Sequence, residues 1–305
     1  MNAQTRDLFA VTPPATAPFV APLLAAYTPT AADTILKTDL YPEPYYGDFN
    51  QCSIVLLTHN PGDSDNYSKG IGSPFETQIY SVPVNPETNY FSMASAPNFP
   101  NNRTNGWVNR WDTEIQNHFN GIQVFTNRVF IRDLIPFHSN RFGRIDMTLC
   151  SAYLYQYFFN QVIAASFNSE LYHRINQKGK TPATIIYARG SVWSNGTGLG
   201  SIGWDRIGRI YSYCYVYKAN FEKILKEQPI NSENYTKSML DHNVYIVVIT
   251  PIRTGARYGI YSEFRNQRSL INLSQVIYNY DSIPLNNSLY ISHNPEMNMF
   301  FDLIR

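Results

Sequence analysis

The stretch SIVLLTHNPGDSD, residues 53–65, climbs through Ile54, Val55, Leu56 and Leu57 and then breaks into His59, Asn60, Pro61 and Gly62. Consecutive apolar residues closed by Pro-Gly read as a strand buried on both faces and ending in a turn. Such a strand sits inside a sheet covered by helices, and it delivers the residue after it, Asn60, to the sheet's rim. Runs of the same kind recur at 129–135 (VFIRDLI), 184–188 (TIIYA) and 244–250 (VYIVVIT), with a fifth, more polar one at 288–292 (SLYIS).

Between these runs the period changes. Over 151–177, Tyr153, Tyr157, Phe158, Val162, Ala165 and Phe167 gather on and around one helical face, and a second helical pattern covers 263–278. Strands separated by helices predict an α/β fold: a three-layer α/β/α sandwich around a central, mainly parallel four-stranded sheet, with large loop insertions. The expected organisation is a Pro-punctuated arm over 1–50, packed on the core, and a single α/β domain over 51–305. Insertions at 63–126 and 190–243 are expected to overhang the edge of the sheet, since connections this long are usually functional or carry elements of their own.

The 305 residues are 44% hydrophobic and 15% charged, enough apolar chain for a substantial core, so disorder is not expected. A net charge of +1 excludes a strongly basic coat and leaves room for a local cationic patch. The three cysteines, Cys52, Cys150 and Cys214, lie far apart with no CxxC spacing, so neither a zinc knuckle nor a disulfide framework is expected, and a reducing cytoplasm is the expected home. Asp7 and the prolines at 13, 14, 18 and 22 interrupt any signal or membrane helix near the amino terminus. The GxGxxG string at Gly198, Gly200 and Gly203 lies inside an insertion with no βαβ context. GKT at 179–181 lacks the upstream glycine of a phosphate loop, because Arg174 stands there. Both read as structural.

Ligands of open α/β sheets bind beyond the carboxyl ends of the strands, so the residues after each run are the ones to compare. They are THNPGDSD, RDLIPFHSNRFGR, ARGSVW and TPIRTGARYG. Arg128, Arg132, Arg141, Arg144, Arg189, Arg253 and Arg257 supply phosphate-binding chemistry, and Phe137 and Trp193 supply candidate stacking faces. No His has metal-ligand spacing, and neither metal nor cofactor is expected.

LLTHNPGDSD resembles the first motif of the uracil-DNA glycosylase superfamily, whose mismatch-specific and single-strand-selective branches follow a hydrophobic strand with G-x-N-P-G. The order of strand, Asn-Pro-Gly, long loop, second strand ending in DLIPFHS, helix, IIYARGSVW and a last strand with its own motif also matches that superfamily's layout, over about residues 51–278. The chain departs from the pattern at Thr58 and His59, where the family has a small residue and glycine. It departs again at the second motif, His or Asn followed by Pro-Ser: TPIRTGARYG (250–259) has the position, with Thr250 in place of the His or Asn and Arg253 nearby, while 292–298 offers His293 and Asn294.

The resemblance implies a monofunctional DNA glycosylase-like enzyme that flips a modified or damaged base and hydrolyses its N-glycosidic bond. The substrate it points to is a bulky modified base, as in viral DNA. Asn60 is the implied catalytic residue; His59, Pro61, Gly62, Asp63, Asp133, Phe137, His138, Ser139, Thr250, Arg253, His293 and Asn294 are the implied contacts to base and DNA. The implied partner is DNA, through the flipped nucleotide and the phosphate backbone, with no membrane and no obligate protein partner. The alternative is a catalytically inactive nucleic-acid- or nucleotide-binding relative of the same fold. An unrelated hydrolase would need a nucleophile motif, and no G-x-S-x-G is present.

Overall fold

A computed structural model describes residues 20–38, 45–48, 54–60, 90–91, 129–159, 162–163, 166, 183–194, 196–211, 214–227, 243–249, 295 and 299. The strands are β1 (Tyr27–Thr28), β2 (Tyr45–Asp48), β3 (Ile54–Thr58), β4 (Tyr90–Phe91), β5 (Val129–Asp133), β6 (Arg144–Ile145), β7 (Ala183–Arg189), β8 (Trp204–Tyr211), β9 (Cys214–Ala219) and β10 (Asn243–Ile249). Eight of them form one sheet in the order β4-β2-β5-β3-β7-β10-β9-β8, while β1 and β6 pair with each other.

The four apolar runs lie side by side as β5, β3, β7 and β10, all parallel, with Leu56 opposite Ile131 and Tyr187, and Ile246 opposite Ile186. The expectation of a four-stranded sheet is corrected to a mixed, eight-stranded one whose middle four strands are parallel. The added strands are antiparallel: β2 and β4 extend the sheet beyond β5, and the hairpin β8–β9 extends it beyond β10. The hairpin arises inside the 190–243 connection, so that loop lengthens the sheet with strands of its own. The runs at 263–278 and 288–292 lie outside the described residues.

Alternation divides the parallel strands into two buried sets. Val55, Leu57, Phe130, Ile186, Ala188, Val244, Ile246 and Val248 join one continuous core with Tyr155, Phe158, Phe159, Val162 and Ile163. That core is capped by a helical segment that opens at Ser151–Tyr153 and runs on as a π-helical stretch, Leu154–Phe159. The alternate residues Leu56, Ile185, Tyr187, Tyr245 and Val247 are buried as well. Burial on both faces is what makes the runs apolar without a break. Fully burying one such aliphatic side chain contributes about 1.5–3 kcal/mol, so these strands carry a large share of the stabilisation.

Arg132 of β5 interrupts this pattern. Its side chain is fully buried, its guanidinium carbon lies 5.2 Å from the Phe158 ring centroid, and its Nη1 donates to the carbonyl of Asp133 at 3.0 Å. Reading it as a rim cation for phosphate is corrected, because alternation turns it into the core while Asp133 faces the opposite way. The helix Val20–Ala26 also feeds the core, through Leu23 and Ala26. Among the described residues no helix is long and apolar enough to cross a membrane.

Candidate functional site

The parallel pairing of β3 and β5 continues past both strands: Leu134 N–H donates to the Thr58 carbonyl at 3.1 Å, and Ile135 N–H to the His59 carbonyl at 2.8 Å. The chain therefore reaches Asn60 with its backbone still tied to a neighbour. The half-buried Asn60 side chain then meets the turn that follows β5. Its Nδ2 donates to Ser139 Oγ at 2.8 Å and lies within reach of the carbonyls of Phe137, at 3.3 Å, and Ser139, at 3.4 Å.

Two of those partners are carbonyl oxygens, which only accept, so the amide must point its NH2 at this turn, and Oδ1 is the accepting end of the carboxamide. Ser139 Oγ in turn donates to the Arg141 carbonyl at 2.7 Å, and it can only accept from the Asn60 NH2. Asn60 is thus held by a turn that is itself internally bonded.

His59 is held differently. Its imidazole lies 4.8 Å, centroid to centroid, from the Phe142 ring and packs against Gly190 at the tip of β7. Gly190 has φ +108°, and a Cβ there would fall 2.0 Å from His59 Nε2. Glycine is required on both counts: the backbone lies where side-chain-bearing residues are strained, and the imidazole occupies the space a methyl would take. Three strand tips, those of β3, β5 and β7, therefore converge on the pair His59 and Asn60.

The other expected site residues on this rim are engaged in packing or bonding. Asp133 is buried and accepts from Thr58 Oγ1 at 2.6 Å. Phe137 and Trp193, expected as stacking faces, are fully buried instead; Trp193 stacks on Phe158 at 5.9 Å, and Phe137 reaches the site only through its carbonyl. His138 is buried, and its carbonyl accepts from Lys37 N–H at 2.8 Å. Arg141 is exposed and pairs with Asp33 at 3.5 Å; Arg144 is exposed on β6. Pro61, Gly62, Asp63, Thr250, Arg253, His293 and Asn294 lie outside the described residues. Among the described residues no group of three or more His, Cys, Asp or Glu is arranged to hold a metal ion.

Three contributors escape sequence reading. Gly190 carries a signal, a glycine directly after an apolar run, but nothing local ties it to His59. Phe142 and Tyr27 carry none, since their contacts span the chain. The fold and the rim together define an α/β protein with a polar, backbone-anchored asparagine at the carboxyl ends of its parallel strands. No family model, curated protein or solved structure matches the chain.

Proposed function

We propose that this chain is a monofunctional DNA glycosylase-like enzyme of the uracil-DNA glycosylase type, acting in a three-layer fold on a flipped, modified base. The observation that carries the reading is the orientation of Asn60: with its NH2 turned into the 137–139 turn, Oδ1 is the end able to accept from a water molecule. In N-glycoside hydrolysis the C1′–N bond breaks with its electron pair leaving on the base, and the sugar becomes an oxocarbenium-like cation. A water oriented by Asn60 adds its oxygen to C1′, and its proton passes to the departing base. Asn60 takes no proton; its fixed dipole favours the cationic sugar, as preorganised polar groups do.

The cost of extracting a nucleotide, a few kcal/mol, has to be offset by contacts to base and phosphate. In this reading the exposed Arg141, two residues beyond Ser139, is the cation that would meet a phosphate, and the imidazole of His59, packed against Gly190, is the wall beside Asn60. A second reading, a catalytically silent nucleic-acid- or nucleotide-binding relative, draws on the burial of Phe137 and Trp193, which withdraws two rings that would hold a flipped base.

The test is release of free base from single- and double-stranded DNA, each carrying one of a panel of modified bases. Release by the wild type that falls on the order of 10²–10³-fold in Asn60→Ala supports the first reading. DNA binding without release, unchanged in Asn60→Ala, supports the second; neither release nor binding refutes both.

A further inference from the structure

The turn that holds Asn60 is clamped along its length by a segment far away in sequence. Ala26 O accepts from Asp146 N–H at 2.9 Å, and Tyr27 and Thr28 pair antiparallel with Ile145 and Arg144. Arg141 N–H donates to Asp33 O at 2.9 Å, and Lys37 N–H to His138 O at 2.8 Å. Residues 26–37 and 138–146 are thus tied at both ends and in the middle.

Tyr27, near one end of this clamp and 7% exposed, bridges the two segments. Its hydroxyl donates to Thr34 O at 2.6 Å and accepts from Gly143 N–H at 2.7 Å. Its ring meets Phe142 edge-on at 5.4 Å, and Phe142 packs on His59. The two segments approach so closely at Gly143 that a Cβ there would sit 2.5 Å from Thr28 O and 2.8 Å from Tyr27 Oη. Burial pushes the phenol above its ordinary value, against the pull of the Gly143 N–H and the Ser139 hydroxyl, so the proton given to Thr34 is kept at neutral pH.

We propose that Tyr27 is a positioning residue of the candidate site, its hydroxyl and ring setting the turn that orients Asn60 and the wall that holds His59. The proposal rests on Asn60 carrying the chemistry, and it adds the amino-terminal segment to the site as a working part. A displacement of about 1 Å at a reacting group can cost on the order of 10²-fold in rate, so the effect of loosening the clamp is readable.

The experiment compares the wild type with Tyr27→Phe, which keeps the ring and removes the hydroxyl, and with Asn220→Ala, which deletes a bond to Asp205 on the remote hairpin as a control for general destabilisation. Two quantities are read at a temperature where all three are folded: kcat and KM for base release, and the NMR signal of the Asn60 side-chain NH2, assigned by its loss in Asn60→Asp. The expected result is a kcat lowered about tenfold or more with KM little changed, and a shifted, faster-exchanging Asn60 signal, in Tyr27→Phe alone. A lowered melting temperature with both readouts unmoved overturns the proposal and leaves Tyr27 a structural residue. If the wild type releases no base, the glycosylase reading fails and the NMR signal alone decides the positioning role. Should Tyr27→Phe not fold, Asp33→Ala, which removes the ion pair to Arg141 across the same clamp, is expected to shift the Asn60 signal from its wild-type position; no shift overturns the proposal.

Discussion

Gly190→Ala probes the convergence of strand tips most directly. The substitution has two separable costs. The backbone at φ +108° and ψ 156° lies in a region that is nearly glycine's alone, and holding an alanine there costs about 1–3 kcal/mol. The new methyl, 2.0 Å from His59 Nε2 and 2.2 Å from Cε1, forces aside an imidazole that also has the Phe142 ring 4.8 Å away; overpacking of this kind costs about 1–3 kcal/mol. The sum, about 2–6 kcal/mol, is a large part of an ordinary domain's stability of roughly 5–15 kcal/mol. At roughly 2–4 °C per kcal/mol, a mid-range loss of about 4 kcal/mol lowers the melting temperature by about 8–16 °C. Urea unfolding of Gly190→Ala, His59→Ala and the double variant separates the terms. Deleting the imidazole relieves the clash and leaves the backbone strain, so the double variant should be more stable than the sum of the single losses implies, by about 1–3 kcal/mol. Additivity within about 0.5 kcal/mol would refute the packing of His59 on Gly190, and with it the argument that β7 shapes the site.

Asn60→Asp replaces a donor with an acceptor facing the carbonyls of Phe137 and Ser139, at 3.3 and 3.4 Å. The new carboxyl is expected to titrate above the ordinary aspartate range when folded, so the variant's stability relative to wild type should fall as pH rises from about 4 toward neutrality, measured as the urea midpoint against pH. The Cys150 thiol is raised from 9.0 to about 12, first by burial and then by the charge of Asp146. Its contribution to stability is complete below the unfolded value and lost as pH rises through about 12, and at pH 8 mass-spectrometric mapping should find it unmodified by thiol reagents until the protein unfolds. On the hairpin, burial is the largest single influence on the Asp205 carboxyl and raises it, but the hydrogen bonds from Lys223, at 2.5 Å, and Asn220, at 2.7 Å, together with the Lys223 charge, outweigh it and bring the carboxyl below its ordinary value. Its stabilising effect is present above the unfolded value and lost as pH falls through the folded one. Lys223→Ala should raise the carbon-detected titration midpoint of Asp205 while hardly moving the melting temperature, because the pair is largely exposed and screened by salt.

The parallel strands were legible because burial on both faces leaves no polar position along them. The expected 53–58, 129–135, 184–188 and 244–250 meet Ile54–Thr58, Val129–Asp133, Ala183–Arg189 and Asn243–Ile249 within one or two residues. The flanking strands were not legible for the converse reason. On β8 and β9, Asp205, Arg206 and Lys218 stand among the apolar residues, with Arg206 lying 4.0 Å over the Tyr215 ring, and two register shifts break the alternation. β2 and β4 are too short to show any period. At the rim, Asn60 was readable as the residue a buried strand delivers. The directions of Arg132, Phe137 and Trp193 were not, since pleat phase and turn geometry, rather than residue type, decide whether a side chain meets core or solvent. The contacts of Tyr27 with Phe142 and Gly143 span more than a hundred positions, and no local pattern announces them.

The antiparallel additions on either flank have a dynamic consequence. β5, β3 and β7, whose tips carry the candidate site, each have a hydrogen-bonded strand on both sides, and none of them is a border of the sheet. Backbone amides in such strands exchange with deuterium through the rarest openings, those close to global unfolding, whereas border strands fray first. The rim should therefore behave as a stiff template, and a ligand that docks on it has to supply the deformation from its own side.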